Sequence, residues 1–383
     1  MPNPAAASIL ALMGLTLAAQ TAPAPTPAVK FRGALWASAA VSDHPSGDGT
    51  MLLRSDDAGS GQLSLEALQL GADVTLGHGW GLKVTVLAGQ WGRNINGATP
   101  GETGTLAWPE AMVTWTGGAD TLKFGRMYTP MGMEVVDGTQ NVTASRGLLF
   151  NYALPYAQVG FNWHHAFSPC WSADLWLYNG EDRLQDNNRG KTAGLGLTYN
   201  HAGSPDKFLT VMVFSGPEQD GLGAAANTGA EGRKRERFSL SGQWVWGKAT
   251  LQFEGESARE RYPGGTFFPG ATGQAQTAWS GAGAICKYQF TEPWSAFARA
   301  EVLKDDSGLR LGLDPAIAAA QPPAPGANLQ AQSLAAGVER RWNATFTRLE
   351  ARHDRLNRSV RDTSSGRTFQ TATSLTWSLG TSF

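Results

Sequence analysis

Sixteen segments of this 383-residue chain place apolar residues at every second position and polar or small ones between them, and the links joining them alternate strictly between long and short. The segments are 31–41, 62–76, 80–91, 105–116, 120–128, 151–166, 171–179, 191–200, 207–215, 236–246, 249–261, 275–290, 294–304, 332–342, 345–356 and 368–383. Odd-numbered links, such as 42–61, 92–104 and 129–150, are long. Even-numbered links are tight turns such as 77–79 (GHG), 117–119 (GGA) and 291–293 (TEP). Period two gives each strand one face for each of two environments. A soluble sandwich has no reason to keep every second link short, whereas a meander through an outer membrane has short periplasmic turns and longer external loops.

Composition agrees. Only 16% of residues are charged, against roughly 25% in ordinary globular chains, and there are 47 Gly and 14 Trp. The net charge of -1 leaves no nucleic-acid footprint. No apolar run beyond the N-terminus reaches the about 20 residues a membrane helix needs, so a bilayer would be crossed by strands. In hydrocarbon every backbone N–H and C=O must be paired inside the protein, which only helices and edge-free sheets achieve. The fold class expected is therefore all-β: a transmembrane antiparallel up-and-down barrel of about 16 strands, wide enough for an aqueous lumen.

Large aromatics flank the short turns: Trp80, Trp115, Phe167 with Trp171, Tyr199 with Phe208, Trp246, Phe290 with Trp294, and Trp342 with Phe346. A row of such rings at one end of every strand reads as a membrane-interface girdle. The final strand, TATSLTWSLGTSF, sets Leu375, Trp377, Leu379 and Phe383 against Ser374, Thr376, Ser378 and Ser382, and Phe383 completes the girdle at the periplasmic rim. The rival reading is a soluble barrel whose core these rings cap. At the other end, Ile9 to Leu17 is a short apolar run followed by small residues and prolines. This divides the chain into an export signal at 1–22, a Pro-rich linker at 23–29 and the barrel at 30–383. No Lys or Arg precedes Lys30, so the usual positive start of a signal is missing and a disordered tail is the alternative.

The polar faces near the C-terminus are charged. RLEARHD puts Arg348, Glu350, Arg352 and Asp354 on one face; Arg299 and Glu301 join Ser295 inward, and the neighbouring strand offers Glu339 and Arg341. Facing a water-filled lumen, these pore-lining residues would set which solutes pass; paired with each other, they would only brace the wall. The long link 129–150 carries several apolar residues and is expected to fold into the lumen as a constriction, with Glu134, Asp137, Asn141 and Arg146 as candidate selectivity residues. An external lid is the competing reading.

Other motifs carry less. RGKT at 189–192 has Gln185 where a phosphate loop needs glycine, and GLGL at 194–197 lacks a third glycine. Adjacent His164 and His165 must point to opposite faces of a strand, so they cannot chelate one metal, and His164 belongs to the lumen. DDSG at 305–308 reads as a solvated loop, since two carboxylates fall short of calcium's six to eight oxygens. Cys170 and Cys286 show no metal spacing and read as free thiols, with a disulfide between them left open. No cofactor or metal site is expected.

Three blocks, LKFGRMYTPMGMEVVDG with SRGLLFNYALPYAQVGF, LYNGEDRLQDNNRGKTAGLGLTY, and AWSGAGAICKYQFTEPWSAFARAEVLKDDSGLRLG, resemble the β-barrel porins of the OmpL-like outer-membrane family over about residues 105–383. Met127 and Met131 depart from that pattern. The resemblance implies an outer-membrane pore whose terminal Phe383 is the signal read by the barrel-assembly machinery. The leading expectation is passive diffusion of small hydrophilic solutes or ions, with outer-membrane lipid around the barrel. Monomer and homotrimer both stay open. Two rivals remain: an occluded structural or partner-binding barrel, and a membrane-embedded hydrolase using a Ser with His164 or His353.

Overall fold

The computed structural model describes residues 26–383 apart from 46–48, 58, 100, 220–231, 264–273, 321–323 and 362–365. The expected export signal at 1–22 therefore lies outside the described residues. All sixteen strands form: β1 (Ala28–Ser42), β2 (Gln62–Gly77), β3 (Trp80–Ala88), β4 (Leu106–Gly117), β5 (Asp120–Tyr128), β6 (Ala157–Ala166), β7 (Trp171–Glu181), β8 (Thr192–Asn200), β9 (Lys207–Pro217), β10 (Lys234–Trp246), β11 (Ala249–Pro263), β12 (Gln274–Gln289), β13 (Trp294–Asp305), β14 (Leu329–Trp342), β15 (Thr345–Arg361) and β16 (Thr368–Ser382). Each pairs antiparallel with its sequence neighbours, and β1 pairs β16 from Ala34 opposite Ser382 to Ser42 opposite Ser374. The sheet has no edge, so its backbone groups are paired around the whole circumference.

The period-two pattern resolves as outside and inside. Leu334, halfway along β14, is 59% exposed, and Leu195, Phe238, Leu349, Leu375 and Trp377 face outward likewise, while Ser374, Thr376 and Ser378 are buried inside. A continuous apolar belt open to the exterior has no place on a soluble barrel, which disposes of that reading. Trp80, Phe167, Trp171, Trp246, Phe290, Trp294 and Trp342 lie exposed at the short-turn rim. Arg340 lies over the rings of Trp294 and Trp342. Phe346 departs from the expected girdle: it is buried inside the barrel. The chain's last residue extends the β1–β16 seam, since Phe383 and Gly33 exchange both backbone hydrogen bonds at 2.9 Å. Its ring covers Gly33, where a Cβ would lie 2.2 Å from the ring.

Several strand boundaries differ from expectation, and β15 runs five residues further, to Arg361. β3 ends at Ala88 because Gly89, at φ 107°, turns the chain into helix α1 (Gln90–Ala98), whose Trp91 and Ile95 are buried. β6 starts at Ala157, not 151, because Leu149–Ala153 forms a π-helical turn. β1 takes in Ala28 and Val29 from the stretch expected as linker. Both cysteines are free thiols.

Contrary to a simple polar lumen, the interior holds apolar clusters built by the long loops. Leu52 and Leu53 of the first loop, Leu148, Leu149 and Tyr152 of the third, and Leu311 with Ile317 of helix α2 (Pro315–Ala320) pack on inward-facing Trp279, Leu303, Leu329 and Leu356. A second cluster joins Trp91 and Ile95 to Trp36, Val136, Phe150 and Phe346.

Candidate permeation site

The third loop crosses the inside of the barrel, and its backbone explains why the wall is charged. A loop shut away from water must find partners for its N–H and C=O groups. Glu301 accepts the amides of Leu148 at 3.0 Å and Leu149 at 3.2 Å. Glu350 accepts the amide of Ala144 at 2.8 Å together with the Ser145 hydroxyl. Arg299 donates to the Ser145 carbonyl at 2.6 Å and pairs Glu134 at 2.7 Å and Glu301 at 3.0 Å. Arg348 donates to the carbonyls of Gly138 and Thr143, and Arg352 to those of Arg146 and Leu53. Asp354 orients Arg352 at 2.8 Å.

These contacts change the picture of the eight wall residues. Arg299, Glu301, Glu339, Arg348, Glu350, Arg352 and Asp354 point inward but are buried beneath the loop; only Arg341, its side chain 35% exposed, meets water. They hold the loop in place rather than line open water. The four loop candidates divide in the same way. Glu134 accepts the amide of Gly147 at 2.6 Å and the Thr143 hydroxyl at 2.8 Å. Asn141 ties itself to both backbone groups of Val135. Arg146 lies over the rings of Trp91 and Phe150 and donates to the Val136 carbonyl. All three are buried, and only Asp137 is partly accessible, held by Thr139, Gln140 and Gln69. Asp305, expected in a solvated loop, is buried and accepts the amides of Gly308, Arg310 and Leu311.

Between this loop and the β1–β5 wall lies a cavity of about 220 Å³ lined by Arg32, Lys83, Glu110, Gln69, Asp137 and Gln140 among others. Arg32 reaches Asp73 at 3.2 Å and Glu110 at 3.3 Å, and Lys83 reaches Glu110 at 2.8 Å. Across the barrel Lys287 pairs Glu339 at 2.7 Å. Arg32, Asp73, Lys83, Glu110 and Lys287 are not among the residues singled out from the sequence; Asp73 and Lys83 sit on the polar parity of their strands, whereas Glu110 shares its parity with outward Trp108 and Lys287 with Trp279 and Ile285. A β-bulge in β2 adds a further inward carboxylate. It turns consecutive Glu66 and Ala67 to the interior, where Glu66 accepts the Trp91 indole N–H at 3.0 Å and the Ser38 hydroxyl. In the first loop, withdrawal from water pushes Asp56 up to about 7; Tyr156 donates its hydroxyl to it, and Asp57 and Glu66 add repulsion. His164 hydrogen-bonds Asp174 inside the barrel and His353 hydrogen-bonds Thr373 on its outer face.

With this geometry in place, comparison with known proteins is direct. The family model described as "Putative beta-barrel porin-2, OmpL-like" matches residues 28–383. Among solved structures, the outer membrane channel DcaP of Acinetobacter baumannii superposes with TM-score 0.61 at 11% identity, covering 93% of this chain and 97% of that one. OmpF of Salmonella typhi, in complex with daunomycin, gives 0.58 at 11% over 93% and 97%. The trimer form of Vibrio cholerae OmpT gives 0.57 at 11% over 94% and 100%. At such identities the likeness is one of fold. No curated protein matches the sequence.

Proposed function

The chain belongs to the OmpL-like β-barrel porin-2 family, and from that membership we propose how its interior controls passage. It is an outer-membrane porin, through which small hydrophilic solutes or ions diffuse passively. The observation that carries the rest is the third loop lying inside an edge-free barrel, its backbone held by Glu301, Glu350, Arg299, Arg348 and Arg352. In our reading that loop narrows the path, Asp137 and Gln140 form its wetted side, and Arg32 and Lys83 stand opposite them. Size selection then comes from a fixed wall and charge selection from the residues still wetted, with no bond made or broken.

Further parts of the reading are proposals of the same kind. Residues 1–22 act as the export signal, Phe383 is read by the barrel-assembly machinery, and lipid covers the apolar belt. A homotrimer is the assembly favoured by the trimer form of Vibrio cholerae OmpT. The family and fold are those of channels, and no catalytic role is assigned to His164 or His353. Reconstitution into a planar bilayer tests the central reading: discrete conductance steps are expected, and folded, inserted protein that passes no current would reject it.

A further inference from the structure

Resting on the porin reading, we infer that the pore prefers anions, and that the preference arises at the short-turn end of β12, β14 and β15 rather than on the face of the inserted loop. Three cations there share one carboxylate. Glu339 takes Lys287 at 2.7 Å on one oxygen, and Arg348 at 2.8 Å and Arg341 at 3.1 Å on the other. The cluster therefore holds two positive charges in excess. Farther round the wall, on β1 and β3, Arg32 and Lys83 are matched by Asp73 and Glu110, so the excess is local.

Two features keep the excess in reach of a solute. Phe346, buried inside the barrel, is a platform for both guanidinium groups, at 3.9 Å from Arg348 and 5.3 Å from Arg341. It fixes both guanidinium groups beside Glu339, with Arg348 buried under the loop and Arg341 the one of the two that meets water. Arg341 and Lys287 keep 35% and 24% of their side chains exposed, and buried Nη2 of Arg348 has no hydrogen-bond partner among the described residues. The loop's accessible carboxylate, Asp137, belongs to the cavity that Arg32 and Lys83 also line. Guanidinium and ammonium groups crowded around one acceptor form a site for small oxyanions, carboxylates or phosphates, because such a ligand supplies the acceptors that Glu339 alone cannot.

The test is the reversal potential of the reconstituted full-length protein in a KCl gradient, for the native chain and for Lys287→Gln/Arg341→Gln. The native pore is expected to pass chloride over potassium, with the permeability ratio falling severalfold in the double variant. Both changed side chains are partly exposed, and Glu339 keeps Arg348, so the barrel is expected to fold. Glu339→Gln should raise the ratio above native. Inorganic phosphate added on the short-turn side should reduce chloride current in the native pore and leave the double variant unaffected. A native ratio at or below one, or equal ratios in native and double variant, would overturn the inference while leaving a working pore. Absence of any current from folded, inserted native protein would instead remove the porin reading beneath it.

Discussion

Truncating Glu301 to alanine should release the inserted loop while leaving the barrel standing. Its carboxylate accepts two buried amides, from Leu148 and Leu149, and pairs Arg299 at 3.0 Å. Orphaning a buried N–H costs about 1–3 kcal/mol, so two cost about 2–6 kcal/mol. Water entering the vacated space recovers part of this, which favours the lower end, about 2–3 kcal/mol. At about 1.4 kcal/mol per factor of ten, the ratio of docked to released loop falls roughly 30- to 140-fold. The strand pairing of β13 is a backbone matter and is untouched. Two readouts follow. Single-channel records should gain flicker between a native and a larger conductance level, and trypsin should cut after Arg146, which is buried in the docked loop. Glu301→Gln, which keeps the shape and one acceptor oxygen, should fall between the two. A Glu301→Ala pore with native conductance, native noise and a resistant Arg146–Gly147 bond would refute the claim that this carboxylate holds the loop.

Other consequences are open to the same kind of measurement. Gly147→Ala should mimic the release, because a Cβ there would lie 2.3 Å from both carboxylate oxygens of Glu301. Leu334→Arg on the outer face of β14 should lower barrel stability by about 2–4 kcal/mol in denaturant titration from lipid vesicles, since the charge would sit in mid-bilayer; an unchanged midpoint would deny that this face meets lipid. Phe383→Ala should lower the yield of folded barrel in the outer membrane, read as heat-modifiable mobility, and equal yield would exclude a role in assembly. Asp56 has its pKa raised by burial to about 7. A carboxyl raised on docking binds its proton more tightly in the docked loop, so docking of the first loop is strongest below the ordinary range near pH 4. It weakens as pH rises to about 7 and is flat above. Protease access to that loop should follow this course in the native chain and lose it in Asp56→Asn.

Much of the architecture was legible because it depends on local chemistry. Alternation over RFSLSGQWVW or TATSLTWSLG specifies which side of a strand is apolar, and link lengths specify which rim it meets. The exceptions share one physical cause, which is contact across the barrel. Phe346 sits beside a short turn exactly as the girdle residues do in sequence, yet β15 turns it inward under Arg348 and Arg341. Alternation assigns the carboxylates and arginines of β13 to β15 to the polar face, but their burial depends on a loop whose approach no local pattern encodes. Helix α1 left a trace in the four-residue spacing of Trp91 and Ile95 that the extended-strand pattern before it hid. The inward turn of Glu66 required a bulge, and a shift of one residue is invisible until the partner strand is known.

The seam between Gly33 and Phe383 gives the molecule a chronology. Because β1 pairs β16 from Ala34 opposite Ser382 to Ser42 opposite Ser374, the circle closes only after the fourteen strands between them can lie side by side. A prematurely ended product would present unsatisfied donors and acceptors along β1, the sort of surface on which strands from other molecules add.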